Sequence, residues 1–128
     1  MQQKSDKISD MELEIMKIIW QNDAPMTFSE IRKELGKNFD WGSQVINTMI
    51  KRLVQKKVLE QQKKEVYYYH PLITEDQYLK AKTLSFLQKV YGGNGKGLLS
   101  ALISYEEVTP KDLDELKDFW QKERKDHE

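Results

Sequence analysis

The chain contains no cysteine among its 128 residues. That absence excludes disulfide frameworks, zinc ribbons, thiol catalysis and thiolate copper sites together. It also fits a reducing compartment, so the cytoplasm is the expected location. Histidine is scarce as well. His70 and His127 stand far apart, no cysteine completes a ligand set, and neither has a nucleophile beside it. No run approaches the roughly 20 apolar residues a membrane span requires, and MQQKSDKISD lacks the apolar centre of a secretion signal. The expected protein is therefore neither exported nor embedded. The glycines of "GGNGKG" (Gly92 to Gly97) suggest a phosphate-binding loop, but Leu98 stands where its Lys and Ser/Thr belong, and the loop follows a helix instead of a strand. With no Ser-, Cys- or Gly-centred site, the chain is not expected to be an enzyme, and no cofactor or metal is implied.

Net charge is also missing, since 21 basic and 21 acidic residues cancel. The cancellation is global and hides a local asymmetry. Residues 35–72 carry seven Lys/Arg against three Asp/Glu, whereas 73–128 carry nine against eleven. A local excess of four positive charges can attract phosphates even within a neutral molecule.

Against these absences stands a clear helical grammar. Ser9-Asp10-Met11-Glu12 reads as a capping box opening a helix over about 10–21, with Met11, Ile15, Ile18, Ile19 and Trp20 at core spacing. Asn22-Asp23-Ala24-Pro25 breaks it. Thr27-Phe28-Ser29-Glu30 opens a second, short helix that Gly36 stops. A third helix begins near Ser43. At 100° per residue from Gln44, the residues Val45, Ile46, Met49, Ile50, Leu53 and Val54 fill roughly 100–280°, while Gln44, Asn47, Thr48, Lys51 and Gln55 lie within about 60° of zero and Arg52 sits on the flank. The segments 58–62 and 66–71 flank Lys63-Lys64-Glu65 and read as a two-stranded hairpin, the second rich in tyrosine. Thr74 with Gln77 opens a fourth helix to Tyr91, which the glycine loop ends. An apolar fifth segment covers about 98–105, and Thr109-Pro110 opens a sixth helix.

Helix, helix, helix, hairpin is the order of a winged helix-turn-helix, here assigned to residues 1–72. Residues 73–128 form a helical second domain, so the expected fold class is mainly α. A polar helix face is most often merely solvated. The third helix departs from that pattern, because no acidic residue occurs between Gly42 and Leu59 and its polar face offers amides and hydroxyls. Gln and Asn can pair with adenine, Thr can meet a thymine methyl, and Lys and Arg can reach guanine or the backbone. The expected contacts with double-stranded DNA are therefore Ser43, Gln44, Asn47, Thr48, Lys51 and Arg52, joined by Lys63 and Lys64 at the hairpin tip. The run Tyr67-Tyr68-Tyr69 reads as cross-strand packing, and Trp41 as an anchor for the start of the third helix. In the second domain, Leu84, Leu87, Leu98, Leu99, Leu102, Ile103, Leu113, Leu116, Phe119 and Trp120 exceed what so short a segment buries alone. Burial between two copies is the expected remedy, and a twofold protein reads an operator with dyad symmetry. Two other readings stay open: a winged module that docks a partner protein instead of DNA, and a DNA-binding dimer gated by a small ligand between its domains.

"SDMELEIMKIIWQ" followed by "DWGSQVINTMIKRLVQKKVLEQQKKEVYYYHPLITEDQY", together with "SFLQKVYGG" and "DELKDF", resembles the penicillinase-repressor family over about residues 7–124. The resemblance implies a homodimeric transcriptional repressor, with an N-terminal winged-helix domain and a C-terminal dimerisation domain, acting on operators of dyad symmetry. Members tied to antibiotic resistance are inactivated by cleavage between an Asn and a Phe. Here Ala101-Leu102 occupies that place, so the cleavage pair itself is missing. Copper-responsive relatives bind metal through Cys-x-Cys pairs, which the tail "QKERKDHE" lacks. The start of the third helix also departs from the family's "WSPKT", with Gly42 at the cap and Gln44 and Val45 replacing Lys and Thr.

Overall fold

A computed structural model describes residues 8–126; the first seven residues, His127 and Glu128 lie outside the described part. The chain forms two compact units divided between Thr83 and Leu84. In the first, α1 (Asp10–Trp20), β1 (Met26–Thr27), α2 (Phe28–Leu35) and α3 (Ser43–Gln55) precede a hairpin of β2 (Leu59–Lys63) and β3 (Tyr67–Pro71). This is a winged helix-turn-helix.

Both expected capping boxes close reciprocally. The Glu12 N–H donates to the Ser9 hydroxyl at 3.2 Å while the Ser9 N–H donates to the Glu12 carboxylate at 2.8 Å. Thr27 and Glu30 repeat the arrangement at 3.2 and 3.1 Å, so each helix starts with two orphan donors satisfied. Between them the helices bury Ile15, Met16, Ile19, Ile31, Leu35, Ile46, Ile50 and Leu53 almost completely. Each such side chain contributes about 1.5–3 kcal/mol, and this apolar centre fixes the angle at which α3 is presented. Trp41 packs against the core with its ring stacked on Phe39 at 4.5 Å, the anchoring role its position suggested.

Several sequence expectations need correction. The sheet has three strands, in the order β1-β3-β2, because Met26 and Thr27 pair with Tyr69 and Tyr68. Two residues are too few to show a strand period, and the pairing arises only because the hairpin folds back past Pro25. Met11, expected in the core, is exposed at the edge of the α1 apolar stripe. Val45, placed by angle on the apolar side of α3, is 40% exposed, because it stands at the edge of the apolar arc in the first turn of the helix.

The end of α3 is a Schellman motif built without glycine. The Val58 N–H bonds to the Leu53 carbonyl at 3.1 Å and the Lys57 N–H to the Val54 carbonyl at 3.0 Å, with Lys57 left-handed at φ 61°. Beneath this turn lies a contact no sequence pattern announced. The Lys56 ammonium reaches back to both carboxylate oxygens of Glu12, at 2.6 and 3.0 Å, and so ties the last turn of α3 to the first turn of α1. Burial pushes the Glu12 carboxyl up. The Lys56 and Ser9 hydrogen bonds and the Lys56 charge outweigh that effect and leave it below the ordinary carboxylate range.

Helix α4 (Glu75–Tyr91) opens with the expected Thr74–Gln77 pair, and its Tyr78 packs on Trp20 at 5.4 Å. The Trp20 indole N–H donates to the Ile73 carbonyl at 2.9 Å, which fastens the chain leaving the wing onto α1. In the second unit α5 (Gly95–Ser104) starts inside the glycine run, correcting the expectation of a loop there. Asn94 caps it, accepting from the Gly97 N–H at 2.9 Å, and a Cβ on Gly97 would stand only 2.5 Å from the Asn94 amide nitrogen. Helix α6 (Pro110–Asp126) begins at the expected Thr109 cap, which Asp112 reciprocates.

Candidate nucleic-acid interface

All eight residues expected to meet DNA lie in the first unit, on two elements, α3 and the hairpin. Gln44, Thr48, Lys51 and Arg52 are exposed, and Ser43 and Asn47 are half-buried at the margin of the same face. Their spacing follows from the core. Ile46, Met49, Ile50 and Leu53 hold one side of the helix against α1 and α2, so residues on the opposite side face away from the core. Among the described residues, no carboxylate forms an ion pair with Lys51 or Arg52.

Helix α3 starts differently from α1 and α2. Gly42 is the N-cap and supplies no side-chain acceptor, and the first turn has no acidic residue. The positive end of the helix dipole therefore meets no compensating carboxylate in its own first turn.

The hairpin carries Lys63 opposite Tyr67 across the β2–β3 ladder. The Lys63 ammonium lies 5.6 Å from the centre of the Tyr67 ring, and that of Lys64 lies 5.7 Å from Tyr68. Both cations are exposed, and each is steadied by an aromatic face without being neutralised. Tyr69 is buried in the core, as cross-strand packing requires. Tyr67 is different. It stands exposed in the wall of a notch lined also by Thr27, Phe28, Ser29, Asn47 and Val66, where the start of α2, the middle of α3 and the hairpin converge.

Sequence reasoning missed two candidates here, Tyr67 and Val45. Strand alternation groups Tyr67 with Tyr69, and that grouping holds, but only the tertiary fold reveals that the core ends before Tyr67. It also overcounted the basic surface. Lys56 is spent on buried Glu12, and Lys37 pairs with Glu34 at 2.9 Å, so the cations available around α3 and the wing are Lys51, Arg52, Lys57, Lys63 and Lys64. His70 lies across the ladder from Glu60, its Nε2 3.3 Å from the carboxylate. Among the described residues, no three His, Cys, Asp or Glu side chains cluster as metal ligands would, and no helix is long and apolar enough to cross a membrane.

In the second unit no described residue is buried. Leu84, Leu99, Ile103, Leu113, Leu116, Phe119 and Trp120 are exposed, the last two at 60%, while Leu87, Leu98 and Leu102 are half-buried. An apolar surface of this extent within one small unit is unusual for a monomer.

Comparison with known proteins agrees with both units. The sequence profile described as "Penicillinase repressor" matches residues 8–122. The penicillinase repressor of Bacillus licheniformis is 35% identical over 114 residues, covering 88% of each chain. That of Staphylococcus aureus is 36% identical over 121 residues, covering 93% of this chain and 94% of the relative. Among solved structures, the DNA-binding domain of the repressor BlaI superposes with a TM-score of 0.53 at 39% identity, covering 61% of this chain and 94% of that one. The Bacillus licheniformis BlaI monomeric form in complex with the blaP half-operator gives 0.50 at 41% identity, covering 56% of this chain and 88% of that one. The family is one of repressors and not of enzymes. With the profile spanning both units and relatives matched over nearly their full length, the chain belongs to the penicillinase repressor family.

Proposed function

We propose that the protein is a homodimeric transcriptional repressor that occupies an operator of dyad symmetry and acts sterically, in the cytoplasm. The observation that carries this reading is the acid-free exposed face of α3, with Gln44, Asn47 and Thr48 between the cations Lys51 and Arg52 and the basic hairpin tip. Such a face meets base edges in the major groove, while the cations hold phosphates on either side. That a related repressor was solved in complex with a half-operator supports DNA binding by this chain.

Ser43, Gln44, Asn47 and Thr48 take the bases or the nearest phosphates, and Lys51, Arg52, Lys63 and Lys64 take the backbone. Residues 73–128 supply the dimer. Their exposed leucines, Phe119 and Trp120 are covered when two copies associate, and the twofold axis sets two α3 helices against two half-sites. The test is a mobility shift with random duplex at low salt, followed by selection of the preferred sequence. Salt-dependent retardation and a symmetric selected site are expected. A protein that retards no duplex at any salt is a docking module for another protein, and the proposal fails.

A further inference from the structure

Val45 is the anomaly of α3. It is a branched apolar residue, 40% exposed, on a helix whose other large apolar side chains face inward. One turn further on, the Thr48 hydroxyl donates to the Gln44 backbone carbonyl at 2.8 Å. Its hydrogen is therefore committed within the helix, and what Thr48 offers outward is chiefly its methyl group. Val45 and Thr48, with Gln44 and the edge of Met49, line one shallow depression on the exposed face. Methyl groups there gain nothing from water, and no described residue covers them fully.

The surroundings say what does. Lys51 and Arg52 follow on the same helix with no acidic residue from Gly42 to Leu59, so the occupant of this face is a polyanion. A polyanion that also brings an apolar group into its groove is duplex DNA, whose major groove displays the C5 methyl of thymine. We infer that Val45 and Thr48 form a methyl-reading surface that selects a thymine beside the base met by the Gln44 amide. This makes Val45 a specificity-determining residue, and the inference rests on the DNA-binding reading above.

The test uses the full-length protein and the duplex it selects from a random library, remade with deoxyuridine replacing thymidine one position at a time. Uracil lacks only the C5 methyl. One position per half-site is expected to lose about fourfold in affinity, the effect of a single buried methyl group. In V45A the same substitution changes affinity by less than about a factor of one and a half, while an unchanged urea-denaturation midpoint reports an intact fold. Cytosine and 5-methylcytosine at the same position separate the two sources of the methyl. Thymine is expected to bind at least as tightly as 5-methylcytosine, and a clear preference for 5-methylcytosine overturns the thymine assignment. A uracil effect that is absent from wild type, or equal in V45A, overturns the inference and leaves DNA binding standing. Failure to bind any duplex overturns both.

Discussion

The ion pair between Glu12 and Lys56 permits a sharp prediction, because its two members differ in burial. The Glu12 side chain is 1% exposed and that of Lys56 is 28% exposed. Replacing Lys56 by methionine leaves a carboxylate inside the fold with only the Ser9 donors to hold it. Removing one partner of a buried pair costs about 3–5 kcal/mol, and the remaining cap bond places this case near the lower end. Replacing Glu12 by glutamine keeps an oxygen for the Ser9 N–H, and the partly exposed ammonium of Lys56 can turn to water. That change should cost about 1–2 kcal/mol, the worth of a charge-assisted hydrogen bond. The double variant should be less destabilised than the sum of the single variants. Urea denaturation followed by the fluorescence of Trp20 and Trp41 measures all three in a Trp120→Phe background. The pH dependence has a definite sign. Glu12 titrates below its unfolded value, so its contribution is fully present above the unfolded value near 4.5 and is lost as pH falls through the folded one. With Lys56 gone, only the Ser9 bonds oppose desolvation, the carboxyl rises from its wild-type position, and stability at neutral pH drops. Equal losses for K56M and E12Q would refute the claim that Glu12 is the buried member whose charge must be met.

Other expectations follow from the same geometry. Lys57 holds φ 61° at the end of α3, a conformation that costs a residue with a Cβ about 1 kcal/mol, so Lys57→Gly should raise the urea midpoint by a comparable amount. Asn47→Ala or Gln44→Ala should weaken binding to the selected duplex by about 1–3 kcal/mol and relax its specificity, whereas Lys64→Ala should weaken all duplexes alike and reduce the salt slope by about one. Titration in a mobility shift at several salt concentrations separates the two classes. Trp20→Phe removes the hydrogen bond to the Ile73 carbonyl and should cost about 1–2 kcal/mol, read from the same denaturation curves. Phe119→Asp combined with Trp120→Asp should convert a dimer to a monomer in sedimentation equilibrium, with the first unit still folded by the Trp20 and Trp41 signal.

Much of this protein was decided within a few residues of chain. Capping boxes, the 3.6-residue stripes of α1 and α3, and the break at Pro25 are local, since a hydroxyl three residues from a carboxylate, or an apolar side chain one turn from the next, meets its partner whatever the rest of the chain does. The polar face of α3 was legible for that reason, and so was the hairpin with its lysine tip.

What the tertiary structure alone decided are contacts between residues distant in sequence. The reach of Lys56 to Glu12, the pairing of Met26 with Tyr69 and the seat of Trp20 on Tyr78 and Ile73 leave no periodic trace, because each depends on where two separately formed elements come to rest. The same holds for exposure. Angle around a helix says which way Val45 points, but only the extent of the core says whether anything is there to cover it, and it is the finite size of that core that leaves Val45 and Tyr67 facing outward.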